Sequence, residues 1–169
     1  MKEVIELLNA MRAAGVIQNY ALFGAIAQMR YTQPVVTLDM DVLVELPASS
    51  RIDVLGGVYQ FCAGRGYQPE GEAIRIGAWP VQFLPAYDAL TQEALREAET
   101  ARMSGVPVRV VNADYLAAIA LSTGREKDNA RILALLESGK TNRRKIMKLA
   151  KAFGLGRAWQ RFVHRFLHE

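Results

Sequence analysis

The chain has 169 residues, of which 51% are hydrophobic and 22% charged, and its formal net charge is +4 at pH 7. The composition is that of an ordinary globular protein, and the length suffices to bury a core without staples. No stretch approaches the roughly 18 apolar residues that span a bilayer, and an N-terminus with Glu3 and Glu6 is not typical of a signal peptide, so we expect a cytoplasmic protein without membrane contact.

The first elements alternate between helical and extended patterns. Residues 4–11 carry apolar side chains at helical spacing, and Gly15 offers the left-handed stop that ends a helix. The apolar run 20–23 ends at Gly24, and residues 25–29 resume with good helix formers. This pattern predicts a strand that turns sharply into a helix, with Gly24 as the hinge.

The middle of the chain predicts three strands and one helix. Residues 35–44 are β-rich, follow a proline directly and predict a central strand. Residues 51–63 predict a helix that ends in a glycine-rich segment. Residues 72–76 and 81–84 predict two strands joined near Gly77, and their short connection indicates an antiparallel pair.

The rest of the chain is mostly helical. Residues 91–103 are rich in helix formers, with Thr91 as the cap, and residues 106–111 return to a β pattern. Four further helices, separated by glycines, are predicted over residues 113–122, 127–137, 141–152 and 157–167. We therefore expect an α+β protein: residues 1–111 form a mixed sheet flanked by helices, and residues 112–169 form an all-helical region packed on that core.

Two carboxylates are the main candidate site. Asp39 and Asp41 lie two residues apart in the predicted central strand, so their side chains are expected to point the same way. Because uncompensated buried charge is costly, a cation is the natural partner, and Mg²⁺ with the phosphates of a substrate suits two carboxylates. Two alternatives stay open: the pair is solvated at a wet strand end, or Arg125, Lys127 or Arg131 neutralises it.

The apolar segment 20–23, Gly24 and the Asp39-Met40-Asp41 motif resemble the nucleotidyltransferase-fold superfamily (polymerase-beta-like). Within it, the sequence is similar to bacterial stand-alone members related to abortive-infection toxins. Weaker similarities continue through residues 81–85, 91–95, 105–111, 115–116 and 124–128, and at residues 154–155 together with Trp159. The resemblance implies that the turn at Gly24 and Ala25 approaches the phosphates of a nucleoside triphosphate. It also implies that Asp39 and Asp41 are catalytic and hold Mg²⁺ for nucleotidyl transfer.

Two departures from this family's pattern bear on catalysis. Ala25 stands where members commonly have glycine or serine, so it keeps the turn but offers a phosphate no hydroxyl. The third carboxylate, usually on the neighbouring strand, falls near Gln82, whose amide cannot act as a general base. Since a general base typically supplies ~10²–10⁴-fold of rate, the fold can persist with a feeble reaction. Glu72 is the outside candidate to replace the missing acid.

A charged cluster around residues 124–128 is the second candidate. In the resembling proteins such a cluster faces the nucleotide, and Lys127 and Arg131, one helical turn apart, can reach phosphate oxygens together. The alternative is that Asp128 caps the next helix while Lys127 and Arg131 form a solvated face.

The C-terminal part of the chain is strongly basic. Residues 140–169 carry nine basic side chains and one acidic one, a sum of +8, whereas the remaining residues carry twelve against sixteen, a sum of −4. This asymmetry predicts contact with an anion: nucleic acid, an acidic partner or the acidic face of the same protein. The basic side chains and Trp159 suit RNA phosphates and a base, but the apolar residues between them favour a solvated amphipathic face.

Two smaller features of the sequence are weaker evidence for a functional site. His164 and His168 have the spacing of zinc ligands but no third ligand nearby. Cys62, the only cysteine, lies in an apolar segment and is expected to be a buried thiol.

Two functions follow from the sequence. The first is Mg²⁺-dependent transfer of a nucleoside monophosphate from a nucleoside triphosphate to an acceptor that the sequence does not identify, such as a tRNA or a protein. The second is a catalytically degenerate nucleotidyltransferase fold that binds nucleic acid or protein, including as half of a toxin and antitoxin pair. The oligomeric state is not indicated.

Overall fold

The computed structural model describes residues 1–48 and 52–168, which form two compact units. The first unit contains Met1–Ala27 and Val35–Val111, and the second contains Gln28–Pro34 and the chain from Asn112 onward. The first is built around a sheet and the second is helical.

The elements of the first unit alternate strands and helices. Its helices are α1 (Lys2–Ala13), α2 (Gly24–Gln28, whose last residue belongs to the second unit), α3 (Gly56–Ala63) and α4 (Ala89–Arg96). Its strands are β1 (Asn19–Leu22), β2 (Met40–Glu45), β3 (Gln68–Glu70), β4 (Ala73–Ile76), β5 (Trp79–Pro85), β6 (Glu99–Met103) and β7 (Val106–Val110).

All seven strands belong to one sheet, in the order β3-β4-β5-β2-β1-β7-β6. β2 pairs parallel with β5 and antiparallel with β1, and β1 pairs parallel with β7. The outer pairs β3–β4, β4–β5 and β6–β7 are antiparallel. The predicted mixed sheet is therefore confirmed, and the candidate acids lie on or beside its central strand.

The core of this unit follows the strand and helix periodicities. Met40, Val42 and Val44 alternate along β2 and are fully buried. Helix α1 packs its apolar stripe against β1 and β7. Tyr20 is also fully buried; its hydroxyl donates to Asn9 Oδ1 at 2.7 Å, and burial raises the pKa of the tyrosine.

The second unit consists of α5 (Ala113–Thr123), α6 (Glu126–Glu137), α7 (Arg143–Ala152) and α8 (Gly156–Phe166). Helix α5 is apolar on almost every side, packs against the other three and forms the centre of the unit. It begins at Asn112, whose side chain accepts from the Tyr115 N–H, and ends at Gly124, which has φ +65°. In the described part of the chain, no helix combines the length and the apolar character that crossing a membrane requires.

Several predictions from the sequence are confirmed. The chain turns from β1 into α2 at Gly24, and β4 and β5 form the antiparallel pair expected around Gly77. The four C-terminal helices lie where glycine punctuation placed them.

The predicted strand 35–44 is too long at its start, because β2 begins only at Met40. The last main-chain bond from β1 toward this end runs from the Phe23 N–H to the Asp41 carbonyl oxygen, after which the chain turns away at Gly24. On the other side, Met40 pairs with Val81, which places Pro80 opposite residue 39. Since proline has no N–H to donate, neither neighbour extends the ladder to residues 35–39.

The predicted single helix 91–103 is wrong. Helix α4 starts after Asp88, which accepts from the Thr91 N–H, and it ends at Arg96. Residues 99–103 instead form β6, which pairs with β7 through a turn in which Ser104 and Gly105 both have positive φ. Two consecutive left-handed residues are typical of tight hairpins, so strand pairing has overridden helix propensity.

The predicted helix 51–63 is also shorter than expected. Helix α3 begins at Gly56, while residues 52–55 form bends and turns and Arg51 lies outside the described residues. Ile52 is fully exposed, so its apolar side chain does not anchor a helical turn.

Candidate functional site

The turn between β1 and α2 lies directly against the Asp41 carboxylate. Gly24 is buried with φ +60°, and a Cβ placed there would come within 2.2 Å of Asp41 Oδ2. The site therefore needs glycine twice, once for the left-handed backbone and once for the space. Two of the residues predicted from the sequence, Gly24 and Asp41, are thus brought together. Ala25 follows at the start of α2, partly exposed.

Asp39 does not lie on the strand as predicted. It precedes β2 in a bend, half-buried, and the Thr37 hydroxyl donates to its carbonyl oxygen at 2.9 Å and to its Oδ1 at 3.2 Å. The expected alternation of side chains therefore applies to Asp41 but does not fix the direction of Asp39. Just before Asp39, the apolar side chains of Val36 and Leu38 are almost fully exposed.

Gln82 lies on the neighbouring strand in register with Asp41. The parallel pairing of β2 with β5 makes the two residues direct partners, so their side chains share one face of the sheet. Glu72 lies in the exposed turn before β4, two strands away from β2. Two strand spacings amount to about 10 Å, so Glu72 is not a strand neighbour of Asp41.

The second predicted cluster contains a buried acid in the helical unit. Asp128 is 1% exposed and accepts from Arg125 Nε at 2.6 Å, from the Thr123 hydroxyl at 2.8 Å and from Arg131 Nη1 at 3.3 Å. Burial alone would raise the pKa of Asp128, but these hydrogen bonds and the two arginine charges outweigh burial, and the pKa is lowered. Asp128 is therefore a charged structural centre.

Lys127 and Arg131 lie in different surroundings. Lys127 is exposed in the first turn of α6, whereas the Arg131 side chain is only 11% exposed and also donates from Nε to Gln28 Oε1 at 2.9 Å. The alternative of a capping Asp128 beside a solvated Lys127 and Arg131 holds only in part: Asp128 lies in the first turn of α6 and Lys127 is exposed, but the N-cap position is Arg125 and the Arg131 side chain is largely buried. The role of Lys127 and Arg131 in phosphate binding stays a prediction.

The internal organisation of this cluster is not among the predictions from the sequence. Residues 125, 128 and 131 follow one another at intervals of three, a spacing that places a base, an acid and a base along one helix face. That signal is present in the sequence. The burial of the neighbouring Asn129, which is 9% exposed, has no comparable mark there.

The basic C-terminal helices point their charges outward. Lys145 pairs with Asp114 at 3.4 Å and Arg165 with Glu126 at 3.1 Å, so part of this charge meets acids of the same unit. Trp159 is buried and stacks on Phe162 with ring centroids 5.8 Å apart, which rules it out as an exposed platform for a base.

Cys62 is buried as expected, and burial raises the pKa of its thiol to about 11. Within residues 1–48 and 52–168, no three His, Cys, Asp or Glu side chains group together as a metal site.

Comparison with known proteins identifies the fold. No protein-family model matches the sequence, and no curated protein matches it. Among solved structures, the chain is similar to the antibiotic-resistance factor ANT(2'')-Ia in solution: 17% identity, 98% of this chain and 96% of that chain covered, TM-score 0.56. It is also similar to a crystal structure of ANT(2'')-Ia in complex with adenylyl-2''-tobramycin: 17% identity, 89% and 95% covered, TM-score 0.55.

A third similar structure is an antigenic nucleotidyltransferase-like protein from Paracoccidioides brasiliensis: 13% identity, 98% of this chain and 86% of that chain covered, TM-score 0.61. The chain therefore has the nucleotidyltransferase fold, as the motifs around Gly24 and Asp41 implied.

We expect Gly24→Ala to destabilise the protein and to displace the Asp41 carboxylate. A left-handed alanine costs about 1–2 kcal/mol, and the contact with Asp41 Oδ2 adds to this cost. Gly15→Ala is the matched control, since Gly15 has φ +71° but no atom lies within 4 Å of the methyl group that alanine would add there. Denaturant unfolding of both variants measures the difference, and equal losses of unfolding free energy would contradict the close contact.

We expect Asp128→Asn to lower the free energy of unfolding by about 3 kcal/mol at pH 7, because the largely buried Arg131 loses the carboxylate charge to which it donates. The Asp128 pKa is lowered on folding, so its stabilising effect is complete above the unfolded pKa of about 3.9 and is lost as the pH falls through the lower folded value. Unfolding free energies of the original protein and of Asp128→Asn, measured between pH 7 and pH 2, should therefore converge in acid.

Glu126→Gln, which removes an exposed acid of the same helical turn, should change stability by less than about 0.5 kcal/mol. A difference between Asp128→Asn and the original protein that does not vary with pH would count against this assignment.

Proposed function

We propose, from the nucleotidyltransferase fold of this chain, that it binds a nucleoside triphosphate with Mg²⁺ at Asp39, Asp41 and the Gly24 turn and transfers a nucleoside monophosphate slowly. The observation that carries the proposal is the approach of the Asp41 carboxylate to the glycine turn. A glycine with no side chain leaves its backbone open to a phosphate, and the carboxylate beside it marks where a cation can sit.

The side chains around Asp41 fit a hard cation. Asp39, Asp41 and Gln82 offer only oxygen ligands of the kind that Mg²⁺ prefers, two carboxylates and one neutral amide carbonyl. Asp39 and Asp41 would hold the metal, and when bound, Mg²⁺ offsets triphosphate charge and polarises the phosphoryl oxygen. With two carboxylates in place of three, one metal ion suits this site better than two.

The reaction is expected to be slow because of Gln82. Its amide cannot take the proton of an incoming hydroxyl, and the described acid Glu72 is not a strand neighbour of Asp41. Ala25 likewise has no hydroxyl to offer a phosphate. Positioning and charge neutralisation by Asp39 and Asp41 remain available, so nucleotide binding is less affected than turnover.

A second candidate function is a binding module without catalysis. It is favoured by Gln82 and by the nine basic side chains among residues 140–169. In this case, the protein binds a polyanion such as tRNA, or a protein partner as in a toxin and antitoxin pair. Binding of tRNA that falls steeply with salt and survives the loss of both aspartates would favour this function.

For the first function, we expect Asp39→Asn and Asp41→Asn each to weaken binding of a Mg²⁺-bound, nonhydrolysable ATP analogue at least ~10-fold, or about 1.4 kcal/mol. Each variant removes one negative charge from the cation site with little change of shape. Glu45→Gln is the control, because Glu45 is an exposed acid at the far end of the same strand. Isothermal titration calorimetry measures the affinities. Equal affinities for the original protein and both aspartate variants would exclude this metal site.

We expect Gln82→Asp to raise the rate of Mg²⁺-dependent pyrophosphate release from a nucleoside triphosphate, by up to ~10²–10⁴-fold. The new carboxylate lies in register with Asp41 and can act as a general base toward water or an acceptor hydroxyl. Gln82→Asn has the same size without the charge and should stay at the original rate. If Gln82→Asp binds the analogue but is as slow as Gln82→Asn, the missing carboxylate is not what limits the reaction.

A further inference from the structure

The helical unit contains a small cavity at the start of α6 that no function described above uses. It has a volume of about 220 Å³ and lies between the end of α5, the first turns of α6 and one side of α8. Its lining combines apolar and basic side chains, among them Leu121, Asn129, Arg161, Phe162, Arg165 and Phe166. The cavity lies entirely within the second unit.

Asn129 is the polar group inside this cavity. It is only 9% exposed, and its side-chain amide makes no hydrogen bond to the described residues. Its neighbour Asp128, which is more deeply buried at 1% exposure, is held by three side chains. Its amide atoms are not among the fully enclosed, unpaired polar atoms of the described residues, so they are reached from the cavity that Asn129 lines and can donate to and accept from a ligand there.

Two arginines stand at the rim of the cavity. Arg161 and Arg165 are one turn apart on α8, and both are exposed. Arg165 pairs with Glu126 at 3.1 Å, but both side chains are more than half exposed, so this pair is weak and open to competition by a stronger anion. The rim therefore favours an anionic group, such as a phosphate.

Aromatic side chains accompany this basic rim. The Arg165 guanidinium lies 4.8 Å from the Phe166 ring centroid, and the ring of Phe162 lies 5.1 Å from that of Phe166. Phe162 is buried, but the Phe166 ring is partly exposed beside the Arg165 guanidinium and suits a planar ligand, because a base can stack on it. The volume is below the roughly 300–1,000 Å³ of pockets for drug-sized ligands, so one nucleobase fits with its phosphate outside at the rim.

We propose that this cavity binds one nucleoside monophosphate unit, either as a free nucleotide or as a residue of a single-stranded nucleic acid. The phosphate lies at Arg161 and Arg165, the base enters beside Leu121 and stacks on the partly exposed Phe166 ring, and the Asn129 amide donates to and accepts from the base edge. This site is separate from the proposed Mg²⁺ site and does not depend on it.

The test titrates AMP, adenosine, inorganic phosphate and a short oligoadenylate into the full chain in EDTA, so that Mg²⁺-dependent binding is suppressed. Calorimetry should show AMP binding more tightly than either adenosine or phosphate. Arg161→Glu should weaken AMP binding at least ~10-fold, as expected for a lost charge-assisted contact. Arg157→Glu, which changes an exposed arginine one turn earlier on α8 that does not line the cavity, should weaken it less than ~3-fold. Lys151→Glu, at a larger groove on α7 and α8, should also have little effect.

Asn129→Leu provides a second, independent readout. A structural asparagine would lose stability on this change, whereas an open amide kept for a ligand should leave the melting temperature unchanged or higher, because no protein hydrogen bond is lost. The same variant should lower the affinity for AMP toward that of phosphate alone.

The oligoadenylate distinguishes the two sources of the nucleotide unit. If it binds more tightly than AMP, and Arg161→Glu weakens both to the same extent, the ligand is a nucleic-acid strand. If AMP binds more tightly, the ligand is a free nucleotide.

Three results would overturn the proposal. The first is that neither AMP nor the oligoadenylate binds at millimolar concentration. The second is that Arg157→Glu or Lys151→Glu weakens AMP binding as much as Arg161→Glu does. The third is that phosphate binds as tightly as AMP. This proposal and the proposed Mg²⁺ site are tested independently, because Asp41→Asn should leave AMP binding in EDTA unchanged.

Discussion

The contact between the Asp41 carboxylate and Gly24 is the constraint on which the proposed Mg²⁺ site depends. The strand β1 leaves the sheet at this point, with the Phe23 N–H donating to the Asp41 carbonyl oxygen, and the backbone turns through a left-handed glycine. Only a hydrogen atom fits between the turn and Oδ2. The carboxylate is thus placed by backbone geometry rather than by the rotamer of a long side chain, which is how a site is held ready before its ligand arrives.

The parts of this fold that could be read from the sequence are those with local signals. The turn at Gly24 and the helix ends at glycines follow from backbone conformations that other residues rarely adopt. The prediction that Asp39 lies on the central strand is wrong, because β propensity says that a segment can be extended, not that a neighbouring strand exists to pair with it. The helix formers of residues 99–103 are misleading for the same reason, since the partner β7 and a tight turn decide their conformation. Burial of Asp128 and Asn129 depends on tertiary packing, and only Asp128 has a signal in the sequence, the spacing of three that separates it from Arg125 and from Arg131.

Asp128 and Asn129 show how charge decides which buried group must be satisfied within the protein. A buried carboxylate without partners would cost several kcal/mol, so Asp128 is surrounded by Thr123, Arg125 and Arg131. An amide carries no net charge, and one that is reached from a cavity costs less to leave without a protein partner than a buried carboxylate does. A stable unit can carry that smaller cost at one position. The structure therefore keeps its acid for stability and leaves its amide open toward a cavity, which is the arrangement expected if ligand binding supplies the missing hydrogen bonds.

The pairing of Gln82 with Asp41 shows how charge also matters on the sheet. In-register partners on parallel strands are about 5 Å apart, so a carboxylate at position 82 would place two like charges side by side and raise the pKa of one of them unless a metal ion were bound. An amide removes this repulsion and stabilises the metal-free protein, but it also removes the group that would accept a proton. In the proposed function, binding geometry and proton transfer are therefore assigned to different residues: Gly24 and Asp41 are the proposed meeting point of a phosphate and a cation, whereas position 82 is proposed to set the rate of the reaction. For this reason, affinity for a nucleotide and the rate of its turnover need not change together when residues of this sheet are varied.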